Sequence, residues 1–537
     1  MTTQGSREES DIGAESDSSE SDTSESDTSE SDMAAAVAAT SRIAGPSKAA
    51  PAPELIDAGF AWEIADAPLL HAGLNLADLG HVLDLHQRGI VPDQAASDLL
   101  SELLVAYSTP AEEFPYDAQF GEPYNSRERL FAERLGNTAG WLHAGRPRRE
   151  AARVALRILL REQTAGLVVE AGRFAQETVE VARRNSDVLM PDQTYLQQAQ
   201  PSTFGHYILA FVPPALRDGD RLLAALEQVN LSPGGAGCVN GSRLLEDRMT
   251  IAELLGFTDV IDHTRDAMWQ TDTFIDLLAT STSLISNQSK LAEDLEIWAS
   301  QEFDYVDLAG PYTRASVLMP QKRNPYALTI VRGAGGVLIG RLSGFLAVVK
   351  SPSARSDNLI FAYGEIPRAL ELSTKISALM SGVVRTLSVN RERMLEELEG
   401  GFSQATDLAE YIMLVTDVDY RSAYRVVGEV VRTASNAKLR GLDITSAMID
   451  EAAQEICGFA LSLDDAQLAA VLDPQNIVET RTATGGAAMD VLEEMANKFG
   501  AQADEMVAVG KRHQESYLQA EHALVAKAKD LIGEHRA

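Results

Sequence analysis

Along the middle of the chain, apolar residues recur three and four positions apart, which is the spacing of one face of an α-helix. No proline interrupts the chain from 148 to 190, from 234 to 310, or between Pro367 and Pro474. A helix of 30 residues is about 45 Å long, and several such helices side by side form a long bundle. The sequence therefore predicts an all-α fold built on a central long-helix bundle.

Shorter helical patterns lie on both sides of this predicted bundle. Residues 81–86 and 94–107 show helical spacing before it, and Gly441 and Pro474 mark breaks after it. No segment alternates well enough to predict a strand, and the last 50 residues are expected to form two helices. We expect four regions. These are a disordered acidic tail and linker at 1–53, an N-terminal helical domain at 54–146, the central bundle with a catalytic loop at 147–384, and a C-terminal helical domain at 385–537.

Charge is concentrated at the N-terminus of this 537-residue chain. Residues 1–32 contain near-repeats of SESDT and carry −10 of the formal net charge of −33. Such a segment lacks the apolar side chains needed to form a core, so it is expected to be disordered, either as a solubilising tail or as a regulatory one. The overall acidity would repel nucleic acid and anionic lipid, so neither is an expected partner.

The cysteines and histidines indicate neither disulfides nor metal. Cys238 and Cys457 are far apart, and the sequence has no CxxC or HExxH motif. We expect no metal and no cofactor, and a reducing cytoplasmic location. The N-terminus lacks the pattern of a secretory signal. The most apolar run, 326–349, contains Arg332 and Arg341 and is not expected to cross a membrane.

Glycines recur every three or four positions in the same run. On a helix, Gly333, Gly336, Gly340 and Gly344 would share one face. Each costs on the order of 1 kcal/mol of helix stability relative to alanine. Close approach of another backbone is the expected compensation, so this face is predicted to be architectural.

Three polar stretches interrupt the apolar pattern. Residues 143–150 place three arginines just before a long helix, where guanidinium groups and free N–H groups both suit a carboxylate. Residues 194–201 are polar between a proline and an aromatic helix start. In the third stretch, 316–325, two prolines forbid regular helix. The resulting loop would present Ser316, Lys322 and Asn324, with Leu318 and Met319 turned inward; an ordinary basic surface loop is the alternative.

The order of these stretches resembles the fumarase/aspartase superfamily, and most closely argininosuccinate lyase. The third family signature reads GSSxMPQKxNP, and residues 315–325 read ASVLMPQKRNP. Further matches are SQEF at 300–303, SPGGAG at 232–237, QPSTFGH at 200–206 and ATDLA at 405–409. Together they cover the chain from roughly residue 60 to 510.

The resemblance implies a homotetramer whose active sites are shared between subunits. It also implies β-elimination of an N-substituted aspartate, a small dicarboxylate, to fumarate and an amine. Ser316 would be the base that removes the Cβ proton, Lys322 and loop amides would stabilise its alkoxide, and Tyr195 would take part in proton transfer. The substrate-binding residues implied are Asn125, Arg148, Arg149, Thr194 and Asn324.

Several positions depart from the family pattern. Tyr195 replaces a histidine, and Thr329 replaces the glutamate that partners it. Arg149 replaces an asparagine, and Tyr124 aligns with an earlier histidine.

The segment that should bind the arginine end of argininosuccinate, 354–361, is also altered. Phe361 and Gly364 align with the expected glutamine and lysine. Elimination chemistry with a rebuilt amine pocket is the preferred interpretation. A catalytically silent relative or a cycloisomerase-like enzyme is the alternative.

Overall fold

The computed structural model describes residues 51–354 and 360–536, and most of this sequence is helical. The first helices are α1 Pro53–Leu55, α2 Ala61–Ala65, α3 Ala67–Gln87, α4 Asp93–Ser108 and α5 Pro123–Leu135. They are followed by α6 Arg148–Arg184, α7 Phe204–Leu209, α8 Val212–Val229, α9 Met249–Leu254, α10 Thr264–Trp269, α11 Asp272–Trp298, α12 Tyr326–Val349 and α13 Glu365–Arg385. The remaining helices are α14 Arg391–Gly400, α15 Ala405–Val415, α16 Tyr420–Asn436, α17 Ser446–Ile456, α18 Asp465–Leu472, α19 Pro474–Glu479 and α20 Met489–Arg536.

The bundle is built around α6, which packs against α3, α8, α13 and α20, while α11 packs against α8, α12 and α13. Most faces of α6 are buried, including its arginines at 153, 157 and 161. Their guanidinium groups lie over aromatic rings; Arg153, for example, is 4.9 Å from the ring centre of Tyr363. Such cation–π contacts offset part of the cost of burying a charge. The predicted all-α fold with a central long-helix bundle is confirmed.

The three largest hydrophobic cores of the unit that begins at Leu55 lie in different parts of the chain. The largest lies inside the bundle, the second beneath α3, α4 and the end of α20, and the third within residues 408–472. The domain boundaries given above stay a prediction. The predicted disordered tail lies outside the described residues, except for 51–53.

The structure differs from the sequence prediction at two places. Residues 489–536 form one 48-residue helix, not two, because α20 packs along the length of α6. Short antiparallel pairs also form, the longest being β1 Leu189–Thr194 with β2 Gln197–Thr203. The prediction of no strand was wrong there because both strands contain proline and neither alternates. The other strands are β3 Leu231–Ser232, β4 Asp259–Val260, β5 Val306–Asp307, β6 Arg314–Ala315, β7 Arg323–Asn324 and β8 Ser388–Val389.

Helix α12 is largely uncovered within the chain. No atom beyond its own helix lies within 4 Å of a Cβ placed on Gly333, Gly336, Gly340 or Gly344 in the described structure. By length and composition alone, α12 is also the one described helix that could span a membrane, which is weak evidence. Its Arg332 donates to Glu293 and Glu296 on α11, as a surface helix of a bundle would.

Candidate active site

The first turn of α6 brings together three of the predicted substrate-binding residues. Arg148 and Arg149 are its first two residues, after an extended Pro147. The Arg148 Nη1 atom lies 3.3 Å from Asn125 Oδ1, and its Nε atom lies 2.8 Å from Glu122 Oε1. Arg149 lines the adjoining pocket. The positive end of the helix dipole and two guanidinium groups make this corner a suitable receptor for a carboxylate.

A buried ion cluster holds this corner in place. Asp78 is fully buried and accepts hydrogen bonds from Arg127 at 2.8 Å and Arg146 at 2.6 Å. Arg146 also donates to the hydroxyl of Tyr124, which is 3% exposed, and burial raises the pKa of Tyr124. This tyrosine is therefore kept neutral and holds α5 against the start of α6.

Glu150 ties the glycine-rich loop to the same helix. Its buried carboxylate accepts N–H bonds from Gly235 and Gly237, both at 2.7 Å. Burial raises the pKa of Glu150 to about 7, against the opposing effect of these two donors and of Arg146. Gly237 has φ +63°, and a Cβ there would lie 2.7 Å from the carbonyl oxygen of Gly241. No role for Glu150 was predicted from the sequence; the SPGGAG motif, whose glycines donate to it, was the available signal.

Thr194 and Tyr195 lie at the tip of the β1–β2 hairpin. Tyr195 and Leu196 form the two-residue turn, with φ of 55° and 58°, which is the pattern of a type I′ turn. Tyr195 is 98% exposed. One residue before Thr194, Gln193 Oε1 accepts from Trp298 Nε1 at 3.4 Å. The hairpin thus presents its predicted site residues outward, away from the body of the chain.

The signature loop is closed by the β6–β7 pair. Ser316 Oγ accepts the N–H of Met319 at 3.0 Å, and Asn324 Nδ2 donates to the carbonyl oxygen of Arg314 at 3.0 Å. Lys322 is exposed, and its carbonyl oxygen accepts the N–H of Ser316 at 3.2 Å. The loop thus brings its three predicted residues together.

The loop does not bury its apolar residues. Leu318 is 85% exposed and Met319 is 40% exposed. The prediction that they turn inward was wrong, because no described part of the chain covers the loop.

One chain does not bring all the predicted site residues together. Helix α6 has 37 residues and is therefore about 55 Å long, with Arg148 at its start and the hairpin beyond its end. Helix α11 runs the same way: Phe274 near its start contacts Arg153, and Trp298 at its end contacts the hairpin. The signature loop follows α11. The arginine corner and the loop therefore lie at opposite ends of the bundle.

Comparison with known proteins decides which family this arrangement belongs to. A family profile described as lyase matches residues 115–340, and one described as argininosuccinate lyase C-terminal matches 402–479. Argininosuccinate lyase from Methanosarcina mazei is 31% identical over 473 residues, covering 87% of this chain and 91% of that one. The chain belongs to the argininosuccinate lyase family of the fumarase/aspartase superfamily. The homologue from Methanothrix thermoacetophila is 30% identical over 421 residues, covering 78% and 85%.

Solved structures of this superfamily share the fold. A variant of EDDS lyase with bound fumarate superimposes with a TM-score of 0.81 at 24% identity, over 91% of this chain and 97% of that one. The 3-carboxy-cis,cis-muconate lactonizing enzyme from Pseudomonas putida gives 0.65 at 17% identity, over 84% and 99%. At these identities the likeness shows the fold alone.

The residues that depart from the lyase family pattern lie both beside the signature loop and in the amine-side segment. Thr329, in place of the glutamate, is exposed in the first turn of α12. Gly364 directly precedes α13 and lies against Asp66, so that a Cβ there would overlap the carboxylate. Phe361 packs edge-on against Trp62, with ring centres 5.8 Å apart. Residues 355–359 of the amine-side segment lie outside the described residues.

Proposed function

We propose that this protein is a carbon–nitrogen lyase that eliminates fumarate from an N-substituted aspartate and releases an amine. The observation that carries the proposal is the signature loop. Ser316 Oγ accepts a main-chain N–H from Met319, and Lys322 is paired through the backbone with Ser316. A serine acts as a base only when its alkoxide is stabilised; the Met319 N–H supplies one donor, and we expect the Lys322 ammonium group to supply positive charge.

In the proposed reaction, Ser316 removes the Cβ proton and the substrate becomes an aci-carboxylate dianion. The carbon–nitrogen bond then breaks, its electron pair leaves with the amine, and the carbanion electrons form the double bond of fumarate. The amine takes up a proton, with Tyr195 as the proposed donor. The dianion requires concentrated positive charge, which Arg148, Arg149 and Asn324 would supply with Asn125 and Thr194.

We further propose that the active enzyme is a homotetramer with shared sites. The arginine corner and the signature loop are separated by about the length of α6, so residues from different copies must meet. The uncovered glycine face of α12 and the outward hairpin tip are consistent with contacts between copies. Light scattering is expected to give about four times the chain mass of 58.0 kDa; a monomer would contradict the shared site.

The test of activity uses the reverse reaction. Purified protein is incubated with fumarate and a panel of amines, and N-substituted aspartates are detected by mass spectrometry. Ser316→Ala should lower adduct formation by at least about 100-fold, because removing a general base typically costs that much. Ser108→Ala, at the exposed end of α4, is the matched control. No serine-dependent adduct with any amine would favour the catalytically silent alternative.

A further inference from the structure

A pocket opens beside the start of α6, and its walls are of three kinds: cationic, apolar and acidic. Among its lining residues are Arg149 and Arg153, so the pocket is continuous with the arginine corner. Arg153 is only 5% exposed, and its Nη2 atom has no hydrogen-bond partner among the described residues. A buried guanidinium with an unused donor suits an incoming carboxylate. This end of the pocket therefore fits the dicarboxylate part of the proposed substrate.

The long wall of the pocket is apolar. It is formed by side chains from α3, α6, α10 and the segment before α13, namely Leu70, Leu74, Leu156, Met268, Trp269 and Ile360. The Trp269 indole N–H is already used by the carbonyl oxygen of Cys238. A ligand segment lying along this wall gains by removing apolar surface from water, and a strongly polar segment would lose its hydration there.

The remaining wall carries carboxylates. Glu63 lines the pocket and is half-buried, without a hydrogen bond or ion pair in the part of the chain described. Asp66, one turn further on, is paired with Arg368. The Asp66 carboxylate lies against Gly364, the position aligned with the family's lysine. The Asp66 carboxylate and the Arg368 guanidinium, which are paired with each other, thus occupy the space in which the family pattern places a lysine.

We propose that the amine released by this enzyme has an apolar body and a second cationic group, and that Glu63 binds that group. This inference rests on the proposed lyase function and specifies its substrate class. The arginine end of the pocket takes the carboxylates, the apolar wall takes the body of the amine, and Glu63 pairs with the distal cation. An amine whose distal group is a carboxylate, as in an amino acid, would face Glu63 with the same charge and is disfavoured.

Several other charges at this wall of the pocket are already paired. Arg148 is bound to Glu122 and Asn125, and Asp66 and Glu365 are both bound by Arg368. Burial raises the pKa of Glu63 to about 7, the Glu122 carboxylate adds to this, and Arg149 and Arg148 oppose it. A cationic ligand beside Glu63 would stabilise its ionised form and lower this pKa again.

The experiment compares three amines of similar length in the addition to fumarate: hexylamine, 1,6-diaminohexane and 6-aminohexanoate. The kcat/KM of the wild-type protein should be about tenfold or more higher for the diamine than for hexylamine, since a hydrogen bond between charged groups contributes more than a neutral one. It should be lowest for 6-aminohexanoate. Glu63→Gln should bring the diamine down to the level of hexylamine, and Glu63→Asp should keep part of the preference.

Glu515→Gln, an exposed position on α20, is the matched control and should keep the wild-type preference. Equal rates for hexylamine and the diamine in the wild-type protein would leave the lyase proposal intact and overturn this inference. An equal loss for all three amines in Glu63→Gln would also overturn it, because Glu63 would then act in the reaction and not in recognition. If no amine forms an adduct, the proposed function fails and the inference falls with it.

Discussion

Single residues at the start of α6 set the charge pattern of the pocket. Arg149 and Arg153 make one end positive, while Glu63, at another wall, has no ion pair with any residue of 51–354 or 360–536. In the family pattern an asparagine stands at 149 and a lysine at 364. Arg149 adds a cation, while the Arg368 guanidinium beside Gly364 is neutralised by Asp66, so the charge pattern of this pocket differs from the family pattern.

Glu63 gives the proposed reaction a pH dependence of known sign. Its pKa is raised to about 7, so the side chain is neutral below that pH and ionised above it. The groups facing it are Glu122, Arg148 and Arg149, with Asp66 held by Arg368. The ratio of kcat/KM for 1,6-diaminohexane to that for hexylamine should therefore rise between pH 6 and pH 8.

Taking the ratio removes the titration of the reacting amine, which both compounds share, while the second ammonium stays charged throughout this range. In Glu63→Gln the ratio should be flat with pH. A wild-type ratio that falls as the pH rises would contradict the assignment of Glu63 as the anionic partner.

Most of the residues that set the charge of the pocket could not be identified from the sequence. The loop 316–324 could be identified because its residues are contiguous and match a signature. Glu63 and Asp66 could not, because they lie about 300 residues from Gly364 and Arg368, and only the fold brings them together. The hairpin was missed for a local reason: its turn is Tyr195-Leu196, where a type I′ turn favours asparagine and glycine.

At the scale of elements, the pairing of α6 with α20 depends on small residues. A Cβ on Gly510 would lie 2.7 Å from Val169 Cγ2 and 3.1 Å from the carbonyl oxygen of Ala165. The expected two terminal helices are therefore one helix whose length is stabilised by α6. By contrast, the absence of proline from 148 to 190 correctly predicted the long helix α6.

Alanine substitutions at two helical glycines test this packing. Gly510→Ala should lower the melting temperature, because overpacking against α6 costs about 1–3 kcal/mol and exceeds the gain of about 1 kcal/mol in helix propensity. Gly428→Ala, on α16 with no described atom nearby, should raise it through propensity alone. Circular dichroism during heating gives both values; a stabilised Gly510→Ala protein would show that the contact is loose.

At the scale of the molecule, a shared site predicts that two defective chains can rescue each other. Arg148→Ala and Ser316→Ala should each be inactive alone. If each site draws these residues from different copies, co-expressed chains should regain about a quarter of the wild-type activity, since half the copies supply each residue.

The purified mixture is assayed for amine addition to fumarate, and mixing two separately purified Ser316→Ala samples is the control. Restored activity requires that the copies assemble around common sites. If the co-expressed mixture has the mass of the assembly but no activity, Arg148 and Ser316 must act in a site formed by the same copy.

The contact between Gly364 and Asp66 also bears on how this pocket can change over time. A lysine restored at 364 alone would collide with the Asp66 carboxylate and with Arg368. Asp66 shortened alone would leave Arg368 without that partner. Neither change is therefore expected to be tolerated alone, so a lysine at 364 requires a paired change at 66.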